Sequence, residues 1–125
     1  MAYYKLRSES GRPTVSEEQS REYVRKLSAL IDCKTVWTRD HKYKDEFNKF
    51  YQRVEEFFPL LTKKAKRLSF GSGCFVYVIE GRNATKNVML MSHHDVVDGS
   101  EEWATHPYKA TEKDGYLYGR GTIDS

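Results

Sequence analysis

Two short polar clusters hold the side chains of this sequence that could bind a metal ion. The first is SHHD at residues 92–95, directly after the apolar run 88–91. In an extended chain, His93 and Asp95 project on the same face and His94 points the opposite way. A metal-binding imidazole needs an acceptor for its second ring nitrogen, and Asp95 would supply it. The cluster therefore predicts a histidine ligand, although a lone HxD pattern can equally cap the end of a strand.

The second cluster is YGRGTID at residues 118–124, where Gly119 and Gly121 flank Arg120 and Asp124 follows. Glycine permits a close backbone approach or a positive φ, so the segment predicts a tight turn that positions Asp124. An ordinary glycine-rich turn followed by a solvated aspartate has the same sequence pattern.

Two amphipathic helices are predicted before these clusters. Ser16 and Gln19 form a capping-box pattern, so the first helix should begin near Glu17. In the second helix an apolar stripe runs from Tyr43 to Leu61, and Pro59 should end or interrupt it. We interpret its aromatic residues as a face that packs on a sheet, because such a stripe is seldom a ligand platform.

The rest of the chain reads as short strands. Residues 67–70 and 74–80, separated by Gly71-Ser72-Gly73, predict a hairpin. The run 88–91 predicts a strand buried on both faces at the centre of the sheet. Asp114-Gly115 predicts a tight turn between two further strands. The pattern predicts an α/β fold, with two N-terminal helices packed on a mixed β-sheet in a single domain over residues 1–125.

Composition narrows the class of protein. The 125 residues contain 21 Lys and Arg against 18 Asp and Glu, spread along the chain, which argues against a nucleic-acid partner. No stretch approaches the roughly 20 apolar residues that span a bilayer, and residues 1–12 contain no apolar signal segment. Cys33 and Cys74 have no metal-binding spacing, so we expect reduced packing residues. We therefore expect a cytoplasmic protein without a membrane partner.

In order and spacing, the two clusters and the segment between them resemble a known family. The segments are SHHDVV at 92–97, WATHPY at 103–108 and DGYLYGRGTIDS at 114–125. They resemble N-terminal signatures of the co-catalytic di-zinc exopeptidases and amidohydrolases. That family includes aminoacylase, acetylornithine deacetylase, succinyl-diaminopimelate desuccinylase and glutamate-releasing carboxypeptidase. The resemblance implies the first, incomplete part of a zinc-exopeptidase catalytic domain, which hydrolyses peptide or N-acyl amino acid amide bonds through a metal-activated water.

The resemblance also assigns site residues. His93 matches a zinc ligand, Asp124 matches the aspartate that bridges two zinc ions, and Asp95 matches the catalytic-site aspartate that orients the histidine. The complete enzyme would hold two zinc ions per site, with cobalt or manganese as substitutes. His94 fills a variable position and is not expected to be a ligand. The resemblance assigns no substrate-binding residue.

The chain departs from the family pattern in two respects. Asp98 stands where the family often has proline, and we expect it to loosen the loop without touching a ligand. The paired glutamates of the family, a further carboxylate ligand and a second histidine have no counterpart here. The chain alone should therefore be inactive, whereas the complete protein would act on a small peptide or N-acyl amino acid, and the resemblance is compatible with a homodimer.

Two other interpretations stay open. The chain could be a non-catalytic binding or assembly module that keeps the opening elements of the fold and contacts a partner through uncovered sheet edges. It could also be an unrelated α/β domain in which the two clusters coincide by chance.

Overall fold

A computed structural model describes residues 3–5, 15–71, 73–83, 85–99 and 102–124. Ser72 of the predicted turn and Ser125, the last residue of the family segment 114–125, lie outside them. The order of elements is β1 (Tyr3–Lys5), α1 (Glu17–Ile31), α2 (Lys44–Phe57), α3 (Pro59–Lys64), β2 (Lys66–Phe70), β3 (Cys74–Val78), β4 (Thr111–Lys113) and β5 (Tyr116–Tyr118). The predicted α/β class is confirmed. Among the described residues, no helix is long and apolar enough to cross a membrane.

Helix α1 begins where the capping box predicts. The Gln19 backbone N–H donates to the Ser16 hydroxyl, and the Ser16 backbone N–H donates back to the Gln19 side chain. Glu17 and Glu18 in the first turn lie at the positive end of the helix dipole, which favours them there. The helix ends at Ile31, the one buried residue of α1.

Helix α2 packs on the hairpin, as its apolar stripe predicts. Phe47 and Tyr51 are its buried residues, and the Tyr51 ring makes an edge contact with Phe75 in β3, with 3.7 Å between the ring centroids. Phe58 leaves the helical conformation at φ −126° and ψ 60°, and Pro59 then begins α3. Proline suits a first helical turn because its missing N–H has no partner there. The predicted interruption at Pro59 is therefore confirmed.

Two antiparallel sheets form. Strands β2 and β3 make the predicted hairpin, in which Leu68 pairs with Val76. The other sheet has the order β1-β5-β4, and Asp114-Gly115 forms its β4–β5 turn with φ values of 53° and 77°. Positive φ at both central residues is the backbone of a type I′ hairpin turn. Leu117 of β5 is only 1% exposed and belongs to the buried core.

One parallel contact joins the end of α1 to the first polar cluster. Val36 pairs with Val96 as an isolated parallel bridge, and the Val96 backbone N–H donates to the Thr35 carbonyl over 3.0 Å. The Thr35 hydroxyl donates to the carbonyl of His94 over 2.6 Å. These bonds fix the direction in which residues 93–96 run.

The predicted central strand at 88–91 is wrong. These residues are extended, no described strand pairs with them, and Val88 and Leu90 are 88% and 93% exposed. A strand buried on both faces requires packed elements over each face of its sheet, and no described element covers these residues. The predicted mixed sheet is likewise replaced by two antiparallel sheets and the single parallel bridge.

Candidate metal centre

The first polar cluster alternates as its sequence predicts. The side chains of His93 and Asp95 are exposed, whereas His94 and Val96 are partly buried on the opposite side. The bonds from Thr35 hold this stretch extended at the end of α1. His93 and Asp95 therefore share one face.

His94 lies in an aromatic environment. Its ring stacks on Phe50 at 4.7 Å between centroids, and its Nε2 lies 2.8 Å from the Tyr51 hydroxyl. That hydroxyl donates its one proton to the carbonyl of Gly73 over 2.7 Å, so Nε2–H of His94 is the donor to Tyr51. Burial lowers the pKa of His94, which favours the neutral ring. His94 therefore packs on α2, on the face opposite His93 and Asp95.

His93 lies between two carboxylates. Its Nε2 is 3.3 Å from Oδ1 of Asp124, and its Nδ1 is 3.4 Å from Oδ1 and 3.2 Å from the backbone oxygen of Asp95. If Nδ1–H donates to Asp95, the Nε2 lone pair is directed toward Asp124 and is available to a metal ion. The structure therefore brings together the three residues that the sequence singles out.

The geometry of this pair fits a zinc ion. Two ligand atoms about 2.0–2.1 Å from a tetrahedral zinc lie about 3.3–3.4 Å apart. The observed separation of 3.3 Å between the His93 nitrogen and the Asp124 oxygen matches that spacing. The side chains of His93 and Asp124 are 61% and 90% exposed, so further ligands and a substrate can reach them. Within the described ranges, no group of three or more His, Cys, Asp and Glu side chains could hold a metal ion.

The glycine-rich turn positions Asp124 through close backbone contacts. A Cβ at Gly119 would lie 2.7 Å from Cγ2 of Ile31, so the turn can approach the end of α1 only because residue 119 has no side chain. Gly121 has a φ of 89°, which glycine adopts without strain. The buried Thr122 hydroxyl donates to the Gly119 carbonyl over 3.1 Å and closes the turn.

The expectation that Asp98 loosens its loop is wrong. Oδ1 of Asp98 accepts from Nζ of Lys34 at 2.9 Å, from the Tyr108 hydroxyl at 2.8 Å and from the Gly99 backbone N–H at 3.0 Å. These contacts lower the pKa of Asp98 to about 2, chiefly through Lys34. Lys34 belongs to no motif or apolar periodicity, and Tyr108, although it ends the WATHPY segment, gave no sign of a contact with Asp98.

The loop between the two clusters is packed by its own side chains. The Arg120 guanidinium lies 4.7 Å from the centroid of the Trp103 ring, and the Arg120 backbone N–H donates to the Pro107 carbonyl over 2.7 Å. A Cβ at Gly99 would lie 2.6 Å from Cγ of Pro107. Trp103 and Pro107 thus have packing roles that hold the turn before Asp124.

An open cavity of about 360 Å³ lies on the His94 side of the first cluster. Trp37, Phe47 and Phe70 supply much of its apolar lining, and Asp95 is among its polar residues. The cavity therefore borders the carboxylate that contacts His93.

Comparison with known proteins confirms the resemblance found in the sequence. Residues 89–125 match the sequence profile of the family described as Peptidase family M20/M25/M40, and this range contains both polar clusters. The match covers His93, Asp95 and Asp124. No solved structure matches the chain.

Curated relatives match over larger parts of the chain. The N-fatty-acyl-amino acid synthase/hydrolase PM20D1 of Xenopus tropicalis is 27% identical over 123 residues, which are 94% of this chain and 24% of the relative. The probable carboxypeptidase S-like 1 of Dictyostelium discoideum is 34% identical over 100 residues, 76% of this chain and 20% of the relative. The succinyl-diaminopimelate desuccinylase of Sulfurimonas denitrificans is 56% identical over 38 residues, 30% of this chain and 10% of the relative. The chain thus spans about a quarter or less of the length of these relatives.

Proposed function

We propose that this chain is the N-terminal part of the catalytic domain of a metal-dependent hydrolase of the Peptidase family M20/M25/M40. The complete protein would hydrolyse an amide bond in a small peptide or an N-acyl amino acid. One observation carries the proposal: Nε2 of His93 lies 3.3 Å from Oδ1 of Asp124 while Nδ1 contacts Asp95. The names of the relatives, which include hydrolases of N-acyl amino acids and a desuccinylase, support the substrate class.

The residues of this chain would have three roles. His93 would bind one zinc ion through Nε2, and Asp124 would bridge two zinc ions with its carboxylate. Asp95 would accept from Nδ1–H of His93, which would fix the ring orientation and increase the basicity of Nε2. When bound, a pair of zinc ions would polarise the carbonyl of the amide bond and lower the pKa of a bound water to near neutrality. The general base and the remaining ligands would come from the part of the protein that follows these clusters in the relatives.

A test with the full-length protein can compare two of the exposed histidines, His93 and His41. Zinc bound per protomer is measured by mass spectrometry, and release of free amine from dipeptides and N-acyl amino acids is followed with an amine-reactive dye. We expect the His93→Ala variant to lose zinc and at least about 100-fold in rate. The His41→Asn control should keep both, since asparagine tolerates the positive φ of 53° at that position. A wild-type protein that binds no divalent metal would contradict the proposal.

One observation favours the alternative function of a non-catalytic binding module: the apolar run at 88–91 is exposed. Leu90 is 93% exposed and Val88 is 88% exposed, and contiguous exposed apolar residues mark interaction surfaces. A module of this kind would bind a partner with no dependence on His93 and would hydrolyse no amide. The same measurements on the full-length protein decide between the two functions. The cytoplasmic location and the homodimer stay predictions.

A further inference from the structure

Asp98 is the centre of a cluster of contacts beside the candidate metal centre. Its Oδ1 lies 2.9 Å from Nζ of Lys34, and the Tyr108 hydroxyl donates to the same oxygen over 2.8 Å. The Gly99 backbone N–H donates to both Asp98 and Tyr108. We call Lys34, Asp98 and Tyr108 the Asp98 clamp. It joins the end of α1 to two loops that are distant in sequence.

The lysine of the clamp is held on several sides. Its ammonium lies 4.7 Å from the ring centroids of both Tyr43 and Tyr108, a distance at which a cation is attracted to an aromatic face. The hydrogen bond to Asp98 raises the pKa of Lys34, so the ammonium stays charged at neutral pH. The clamp is therefore a charge pair in which the Asp98 side chain is 60% exposed, while the lysine is also held against two tyrosine rings.

A second link connects the clamp to the turn before Asp124. Nη2 of Arg120 donates to the backbone oxygen of Asp98 over 3.3 Å, and the Arg120 guanidinium lies over the Trp103 ring. Arg120 precedes Asp124 by four positions. The backbone of Asp98 is therefore hydrogen-bonded to the turn that precedes Asp124. The same backbone continues, five residues earlier, into the loop that carries His93.

The two proposed ligands need such a restraint because each is largely exposed. The contacts that Thr35 and Val36 make with the first cluster reach no further along the described chain than Val96. The Asp124 side chain is 90% exposed. Metal–ligand distances must be correct to about 0.2 Å, which two independent loops would not maintain. Asp98 is the point at which both loops are held to the same helix end.

We propose that Asp98 is a positioning residue for the metal centre, which with Lys34 and Tyr108 holds the His93 loop and the Asp124 turn at ligand distance. This inference rests on the proposed function. It assigns a role to the position where the related family often has proline. A proline would stiffen that loop through its ring, whereas this chain stiffens it with a side-chain charge pair.

The test measures zinc affinity of the full-length protein by competition with a chromogenic chelator. We expect the Asp98→Ala variant to bind zinc about 10–100-fold more weakly than wild type, the usual effect of losing a group that orients a ligand. The visible spectrum of the cobalt-substituted variant should change as well, because it reports the arrangement of the ligands. The hydrolysis rate of Asp98→Ala should recover at saturating zinc, whereas that of His93→Ala should not.

Two further variants keep the result interpretable. Tyr108→Phe removes only a hydroxyl and should weaken zinc binding in the same direction, so it replaces Asp98→Ala if the latter does not fold. Glu22→Gln is the matched control, since Glu22 is also an exposed carboxylate with a pKa lowered to about 2 by basic partners, Arg25 first, but it lies on α1 away from the loops. Its zinc affinity should equal that of wild type.

Unchanged zinc affinity and an unchanged cobalt spectrum in both Asp98→Ala and Tyr108→Phe would overturn the positioning role while leaving the proposed function intact. A wild-type protein that binds neither zinc nor cobalt would overturn both. An equal loss of zinc affinity in Glu22→Gln would mean that Asp98→Ala acts through general stability, and it would overturn the positioning role.

Discussion

Nε2 of His93 lies 3.3 Å from Oδ1 of Asp124, although the two residues belong to separate loops. His93 lies in an extended segment held by Thr35, just beyond α1, and Asp124 follows a turn that packs on Ile31 at the end of that helix. The C-terminal end of α1 is thus the common support of the candidate metal centre.

The isolated 125-residue chain should hydrolyse no dipeptide or N-acyl amino acid with zinc, cobalt or manganese. It offers two proposed metal ligands, His93 and Asp124, whereas a catalytic zinc normally has at least three from the protein. Free amine release over hours and zinc titration by calorimetry are the measurements. Turnover that His93→Ala abolishes, or tight binding of two zinc ions, would show that the chain holds a complete site.

Replacing the two adjacent histidines should affect the stability of the fold very differently. His94→Ala removes the stack on Phe50 and the bond to Tyr51, so we expect a loss of about 1–3 kcal/mol in the free energy of unfolding. His93→Ala removes an exposed ring and should change that free energy by no more than about 0.5 kcal/mol. Urea unfolding of the metal-free full-length protein measures both. Equal destabilisation by the two variants would contradict the assignment of His94 to packing and His93 to the site.

The stability that Asp98 contributes should depend on acid pH. Its usual pKa is 3.8 and its pKa in the folded protein is about 2, so between these values the unfolded chain binds more protons. The contribution is therefore complete above about pH 4 and is lost as the pH falls toward 2. Urea unfolding at several pH values should show Asp98→Asn less stable than wild type above that range, with the difference vanishing near its lower end. A difference that does not change with pH would mean that the charge of Asp98 has no part in it.

A methyl group added at Gly119 should disturb the candidate metal centre because it would press on Ile31 at the end of α1. In Gly119→Ala the new Cβ would lie 2.7 Å from Cγ2 of Ile31, so we expect a loss of about 1–3 kcal/mol in stability and weaker zinc binding by Asp124. Ile31→Ala alone leaves a cavity and costs about 2–5 kcal/mol. The double variant should lose less than the sum of the two, because alanine at 31 makes room for the methyl group. Strict additivity in a double-mutant cycle would contradict this contact.

Local patterns in the sequence predicted much of the fold. The capping box at Ser16, the break at Pro59 and the turn at Asp114 are decided by neighbouring residues, and all three occur as expected. The opposite faces of His93 and His94 follow from the geometry of an extended chain. These features need no knowledge of the rest of the protein.

Features that depend on distant residues were missed. The run at 88–91 has the composition of a buried strand, but burial requires packed elements over each face that the described chain does not provide. The Asp98 clamp unites Lys34 and Tyr108, which share no periodicity with Asp98 and come from different loops. A side-chain bond between such residues leaves no trace in apolar patterning.

The bond from the Thr35 hydroxyl to the carbonyl of His94 spans 59 positions, and all of α2, α3 and the hairpin lie between its ends. Closing so long a loop carries a large entropy cost before any contact repays it, so this bond should form late in folding, after the local helices and the hairpin. His93, next to this bond, would reach its place only when most of the chain is already folded. A metal ion added during refolding should then speed no early folding step.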